Sequence, residues 1–265
     1  MRHSFFAVVI GVFVCCFLSI SLSGQKTASS PALLYLQQSL AQLEGNTSIS
    51  DVTLTGSVRR IAGSDDESGS ATLKALSSGA ARSDLSLSSG TVNEIYNFSS
   101  PSDPAGAWSG TDGVSHPIPF HNLLSEPAWF FPTFAISRRL AAGYIVADLG
   151  SETYEGQQVE HISVTQNSPS LSASNAVLFQ HLTQVDFFLD STTLLPAAVS
   201  FNIHPDNNSV IDIPVEVRFS DYRSVSGAQV PFHVQKFLNN SLFLDVQVQN
   251  AAINSGLSAS AFAIQ

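Results

Sequence analysis

Residues 213–219 read Ile-Pro-Val-Glu-Val-Arg-Phe, and residues 242–248 read Leu-Phe-Leu-Asp-Val-Gln-Val. In both stretches apolar side chains occupy every second position, which is the period of a β-strand with one buried face. The same alternation occurs in residues 197–203 and 230–234, and turn or loop sequences separate the four stretches. Successive strands of this kind predict an antiparallel sheet with one apolar face.

Residues 51–96 repeat this period in shorter strands, beginning with Val52, Leu54 and Val58. Glycine and serine residues mark the turns between them, and residues 63–69 predict an acidic turn. Short strands at even spacing indicate an antiparallel meander. The chain is therefore predicted to be mainly β, in the α+β class.

One amphipathic helix is predicted before the first strand. Ser30 can cap its first turn, Pro31 suits the first helical position, and Gly45 ends the run. Leucines at positions 33, 36, 40 and 43 recur at helical spacing and form an apolar stripe. This stripe is expected to pack on the apolar face of the sheet.

Residues 97–145 break the strand pattern because prolines punctuate them, and they form a proline- and aromatic-rich insertion. A short helix or turn pair is predicted at residues 125–141. The densest aromatic cluster of the chain lies in it: Trp129, Phe130, Phe131 and Phe134. These aromatics either complete a filled core or border a cavity for an apolar guest.

The chain begins with a basic residue, an apolar run and small residues, which is the pattern of a secretory signal peptide. Residues 1–23 are predicted to be removed, so that the mature protein starts near Gly24 and is soluble. The alternative is a membrane anchor formed by residues 5–22. Both cysteines lie in this segment, and residues 24–265 are predicted to form a single exported domain without thiols.

Composition and motifs argue against several functions. The net charge of −10 disfavours binding to nucleic acid. The sequence has no Gly-x-Ser-x-Gly motif and no phosphate-binding glycine loop, so no catalytic residue and no cofactor are predicted. His204, Asp206 and Asp212 are metal-ligand types, but no further ligand lies at a usual spacing, so no metal site is predicted.

Three short motifs carry a resemblance to a known family. Residues 188–196, Phe-Leu-Asp-Ser-Thr-Thr-Leu-Leu-Pro, and residues 219–231, which begin Phe-Ser-Asp-Tyr-Arg, are similar to strand junctions of the periplasmic LolA and LolB lipoprotein carriers. The spacing from Asn254 to Phe262 is similar to the end of those proteins. The order of elements in the first half also resembles LolA.

This resemblance implies an antiparallel open β-barrel, or half-barrel, with a helical lid, located in the periplasm or outside the cell. It implies a non-enzymatic carrier that binds a lipid or a lipoprotein acyl chain. The alternative is a protein-interaction or envelope-sensor domain with a filled core and an envelope protein as partner. Arg82 is the position most similar to the arginine that holds the lid in LolA. The expected lining and lid residues are Leu36, Leu40, Trp129, Phe130, Phe131, Phe134 and Arg82.

Overall fold

The computed structural model describes residues 30–98 and 104–264, so the predicted signal peptide at residues 1–23 lies outside the described residues. The helices are α1 Pro31–Glu44, α2 Phe120–Leu123, α3 Pro132–Arg139 and α4 Ala173–Thr183, with a 3-10 helix at Ala259–Phe262. The strands are β1 Asp51–Ala62, β2 Asp65–Leu76, β3 Ala81–Leu87, β4 Gly90–Asn97, β5 Ala105–Ser109, β6 Ser115–Pro117, β7 Tyr144–Tyr154, β8 Gln157–Gln166, β9 Val185–Asp190, β10 Pro196–Ile203, β11 Ile213–Val225, β12 Ala228–Leu238 and β13 Ser241–Ile253.

These strands form one open antiparallel sheet in the order β6-β5-β4-β3-β2-β1-β13-β12-β11-β10-β9-β8-β7. Each half of the chain is a meander, because almost every strand pairs with its neighbour in sequence. The halves join where β1 pairs with β13, with Val58 opposite Val246. The sheet does not close, since β6 and β7 lie at its two edges. The predicted open antiparallel sheet with covering helices is confirmed.

The β1–β13 junction depends on a glycine. A side chain at Gly56 would place its Cβ 2.0 Å from the carbonyl oxygen of Gln247. The pairing register shifts between Thr55 and Gly56, as at a β-bulge. The two halves can therefore approach closely at this point only because residue 56 has no side chain.

Helix α1 lies on the apolar face of the sheet, as its leucine stripe predicted. Ser30 Oγ accepts a hydrogen bond from the backbone N–H of Leu33 at 3.3 Å, so the predicted cap is present. Leu36 and Leu43 are fully buried, and α1 contacts β12, α3 and β7. Helices α1 and α3 thus both cover one face of the sheet.

Three elements differ from the sequence predictions. The acidic stretch after Gly63 is not a turn, because Asp65 already begins β2 and the turn is limited to residues 63–64. Strand β7 and helix α4 were not predicted. Most of β7 is solvent-exposed, and α4 buries only Leu182 and Thr183, so neither has an apolar face that a periodicity could reveal.

Among residues 30–98 and 104–264, no helix combines the length and the apolar character that a membrane span requires.

Candidate functional site

A cavity of about 710 Å³ opens on the covered face of the sheet, where β1–β4 meet β12 and β13. Its apolar walls include Leu85, Val92, Trp108, Trp129, Phe243 and Leu244. Its polar groups include Arg60, Asp65, Glu67, Glu94 and Lys236. This volume lies within the range of about 300–1,000 Å³ that is usual for small-molecule sites.

Strand alternation brings charged side chains into this apolar face. On β12, Val230 and Val234 are fully buried, and Lys236 follows at the next inward position. On β1, Arg60 continues the series of Leu54 and Val58 in the same way. The inward side of each strand is therefore apolar along the core and charged where it reaches the cavity.

Lys236 is the most unusual of these charged residues. Its Nζ lies 4.7 Å from the ring centroid of Trp129, a cation–π distance. Burial lowers the pKa of Lys236, and the negative charge of Glu94 partly opposes this shift. No residue within 30–98 and 104–264 forms an ion pair with Lys236. A partly desolvated ammonium that borders a cavity is suited to receiving an anionic group from a ligand.

Two of the acidic residues of the cavity, Glu94 and Glu67, already have partners. Tyr96 Oη donates a hydrogen bond to Glu94 Oε1 at 3.0 Å, and burial raises the pKa of Tyr96 well above its usual value. Glu67 accepts hydrogen bonds from Ser89 and Ser88, which lower its pKa. Glu67 Oε2, which accepts from Ser89 Oγ, also lies 3.8 Å from Arg60 Nη1. Both carboxylates are thus held in place, whereas Lys236 has no ion-pair partner in the described part of the chain and can donate to another group.

Of the residues expected from the sequence, Trp129 lies on the cavity wall. Phe130, Phe131 and Phe134 belong to the packed core, as does Leu36, and each is at most 1% exposed. Leu40 is partly buried against the same core. Trp129 belongs to the same core, at 3% exposed, and also borders the cavity, whereas the three phenylalanines do not line it.

Arg82 lies away from the cavity. Its Nε donates to both carboxylate oxygens of Asp84, at 2.9 and 2.8 Å. Ser83 and Leu85 line the cavity from β3, and the alternation of the strand directs Arg82 to the opposite face. There it borders a separate pocket of about 130 Å³.

A buried ion pair fixes the segment that carries Trp129. Glu126 lies just before this aromatic cluster, and its carboxylate is paired with the guanidinium of Arg139 at the end of α3. Arg139 Nη1 also donates to the carbonyl oxygen of Ala135 at 3.1 Å, and the N–H of Ala128 donates to Glu126 Oε1 at 3.1 Å. These contacts tie the two ends of the covering segment together.

Three charged residues of the cavity were not predicted from the sequence: Lys236, Glu94 and Arg60. The period-two pattern of the strands could have revealed them, because a charged residue at an inward position interrupts an otherwise apolar series of side chains. The expectation that His204 has no third ligand-type neighbour is not met, since α4 brings His181 to His204 and Asp212.

Comparisons with known proteins were made by sequence and by structure. No family model matches the chain, and no curated protein matches it by sequence. A candidate outer membrane lipoprotein-sorting protein domain from Vibrio parahaemolyticus superposes with a TM-score of 0.53 at 13% identity, covering 87% of this chain and 95% of that one. A DUF1329 family protein from Desulfovibrio piger gives 0.53 at 11% identity, covering 89% and 98%.

The chain therefore shares its fold with the lipoprotein-sorting domain from Vibrio parahaemolyticus and with the DUF1329 protein. A LolA superfamily protein from Nitrosomonas europaea also matches, with a TM-score of 0.49 at 9% identity over 88% of this chain and 97% of that one. The resemblance inferred from the strand-junction motifs is thus confirmed at the level of the fold.

Proposed function

We propose that this protein is an exported, non-enzymatic binding protein that holds a lipid or a lipoprotein acyl chain in the cavity beside Lys236. The observation that carries the proposal is the combination of apolar walls with the ammonium of Lys236, which no ion pair within residues 30–98 and 104–264 engages. An acyl chain would lie along Leu85, Trp129 and Phe243, while an anionic head would meet Lys236. Such a guest is amphipathic, as a fatty acid or an anionic lipid is.

The shape of the site supports binding rather than chemistry. The carboxylates of Glu67 and Glu94 are occupied by hydroxyl donors. The proposal places the protein in the periplasm or outside the cell, with residues 1–23 removed. The similarity to a lipoprotein-sorting domain supports this placement through the shared fold.

A cavity-filling variant tests whether the guest occupies this space. Leu85→Trp adds a large ring at a buried lining position, and it is expected to lower retention of a co-purified lipid or of a fluorescent fatty acid by at least about tenfold, since the guest loses its volume. Leu178→Trp on α4, where Leu178 is 37% exposed, is the matched control and should bind normally. Equal binding by both variants would contradict the proposal.

A second variant tests the role of the ammonium. Lys236→Met keeps the length of the side chain but removes its charge, so binding of a fluorescent fatty acid should weaken about tenfold or more. Binding of the corresponding methyl ester should change little, because it brings no anionic head. Lys74→Met, on the outward face of β2, is the control. Equal losses for acid and ester would show that Lys236 acts by packing alone.

If no apolar probe binds to the parent protein, the binding proposal fails. The same fold would then act through its surface, as a protein-interaction or envelope-sensor domain. Mass spectrometry of organic extracts from protein purified out of its native envelope separates the two outcomes directly.

A further inference from the structure

We propose that His181, His204 and Asp212 form a binding site for a divalent transition-metal ion such as Zn²⁺. One candidate ligand atom from each residue lies within 4.8 Å of the others. His181 Nε2 lies 2.8 Å from Asp212 Oδ1, and His204 Nδ1 lies 3.5 Å from the same oxygen. Neighbouring ligands of a tetrahedral zinc ion, bound at about 2.0–2.2 Å, are roughly 3.3 Å apart. The observed separations therefore need only small side-chain rotations.

The three residues are held by different elements of the fold. His181 lies near the end of α4, His204 directly follows β10, and Asp212 directly precedes β11. The backbone N–H and C=O of His204 are both bonded to the side chain of Asn122, at 2.8 Å each. His204 is thus positioned by the fold itself, as a ligand in a pre-formed metal site is.

Two acceptor oxygens lie near the same ring nitrogen of His204, which can donate only one proton. His204 Nδ1 lies 3.0 Å from the carbonyl oxygen of Ile211 as well as near the carboxylate of Asp212. Both of those oxygens are acceptors, and His181 Nε2 adds a third group that can supply a lone pair. His204 Nε2 is also buried without a hydrogen-bond partner within residues 30–98 and 104–264. A cation bound by His204 Nδ1, His181 Nε2 and Asp212 would accept one lone pair from each residue, and the ring proton of His204 would then reside on Nε2.

The burial of the three residues suits a metal site in which one coordination position is open to solvent. The His204 side chain is only 1% exposed, whereas those of His181 and Asp212 are 38% and 41% exposed. An ion could therefore enter from solvent and keep a water ligand. Two histidines and a carboxylate are ligands that zinc accepts, usually with a fourth ligand. His121 packs its ring edge-on against His204, but its Nε2 faces the carbonyl oxygen of Pro205 at 3.2 Å and lies outside the ligand set.

Bound metal would join α4 to the loop between β10 and β11. The mature protein, treated with chelator and then titrated with Zn²⁺ by calorimetry, is expected to bind one ion per chain with a Kd in the micromolar range or below. Saturating Zn²⁺ should raise the Tm, because the ion binds the folded state only. Co²⁺ should give the visible absorption bands of a tetrahedral or five-coordinate site.

His181→Ala and Asp212→Asn are each expected to weaken Zn²⁺ binding by at least about tenfold and to remove the rise in Tm. Both positions are exposed, so both variants should fold as the parent does. His233→Ala is the matched control, since His233 Nε2 lies 2.9 Å from Asp245 Oδ1 without a second histidine. Absence of stoichiometric Zn²⁺ in the parent, or equal binding by the parent and both variants, would overturn the proposal. Lipid binding is measured separately and does not depend on this result.

Discussion

Arg139→Ala is expected to lower the free energy of unfolding by about 3–5 kcal/mol, because it leaves the carboxylate of Glu126 buried without its main partner. The Glu126 side chain is fully buried, and that of Arg139 is 3% exposed. Arg138 Nη1 lies 3.6 Å from Glu126 Oε1 and can compensate only in part. Chemical denaturation followed by fluorescence or circular dichroism measures the change.

Two further variants show how much of the lost stability comes from leaving one charge buried alone and how much comes from the ion pair itself. The double variant Glu126→Gln with Arg139→Met removes both charges and should recover much of the stability lost in Arg139→Ala. Arg59→Ala removes the exposed ion pair with Asp66 and should have no measurable effect. A small loss for Arg139→Ala would mean that water reaches this pair in solution.

The ion pair also fixes the position of Trp129. Because Glu126 and Arg139 flank the aromatic segment and are bonded to one another, they fix both ends of the element that closes the cavity. A partial loss of lipid binding is therefore expected in any variant that breaks the pair but still folds. We therefore expect the stability of this segment and lipid binding to be coupled through the contact between Glu126 and Arg139.

The strand-junction motifs were readable from the sequence because their contacts are local. Asp190 Oδ1 accepts hydrogen bonds from the N–H groups of Thr192 and Thr193, at 3.1 and 2.7 Å, and so forms the turn itself. Tyr222 Oη donates to the carbonyl oxygen of Pro196 at 2.8 Å, which links the two motifs across the sheet. Residue types with fixed local roles of this kind reveal the fold even when overall identity is low.

The cavity and the histidine cluster could not be predicted because distant segments build them. The cavity exists only where β1 meets β13, about 190 residues later in the chain, and that pairing leaves no local pattern. His181 reaches His204 because α4 lies beside the end of the sheet, yet α4 has no apolar stripe that marks it as a helix. Where side chains converge from separate elements, spacing along the chain carries no information about distance.

Phe131→Ala is expected to lower the free energy of unfolding by about 3–5 kcal/mol, because it removes a fully buried ring from the core. The ring of Phe131 meets that of Phe134 edge to face, with their centroids 4.9 Å apart. The sequence alone placed Phe131 among the lining residues of a cavity, where such a truncation would cost little stability. In the structure Phe131, which directly precedes α3, belongs to the main core and is not among the residues that line the 710 Å³ cavity.

Trp129→Ala is the matched comparison, since Trp129 belongs to the same segment but faces the cavity and Lys236. It should lose less stability than Phe131→Ala, because part of its ring borders empty space that the variant merely enlarges. It should lose more affinity for a fluorescent fatty acid, because the guest would contact that ring. Denaturation and probe titration of both variants therefore give opposite rankings if Trp129 lines the site and Phe131 supports it. If one of the two variants showed the larger loss in both stability and affinity, the distinction between a lining Trp129 and a supporting Phe131 would be wrong.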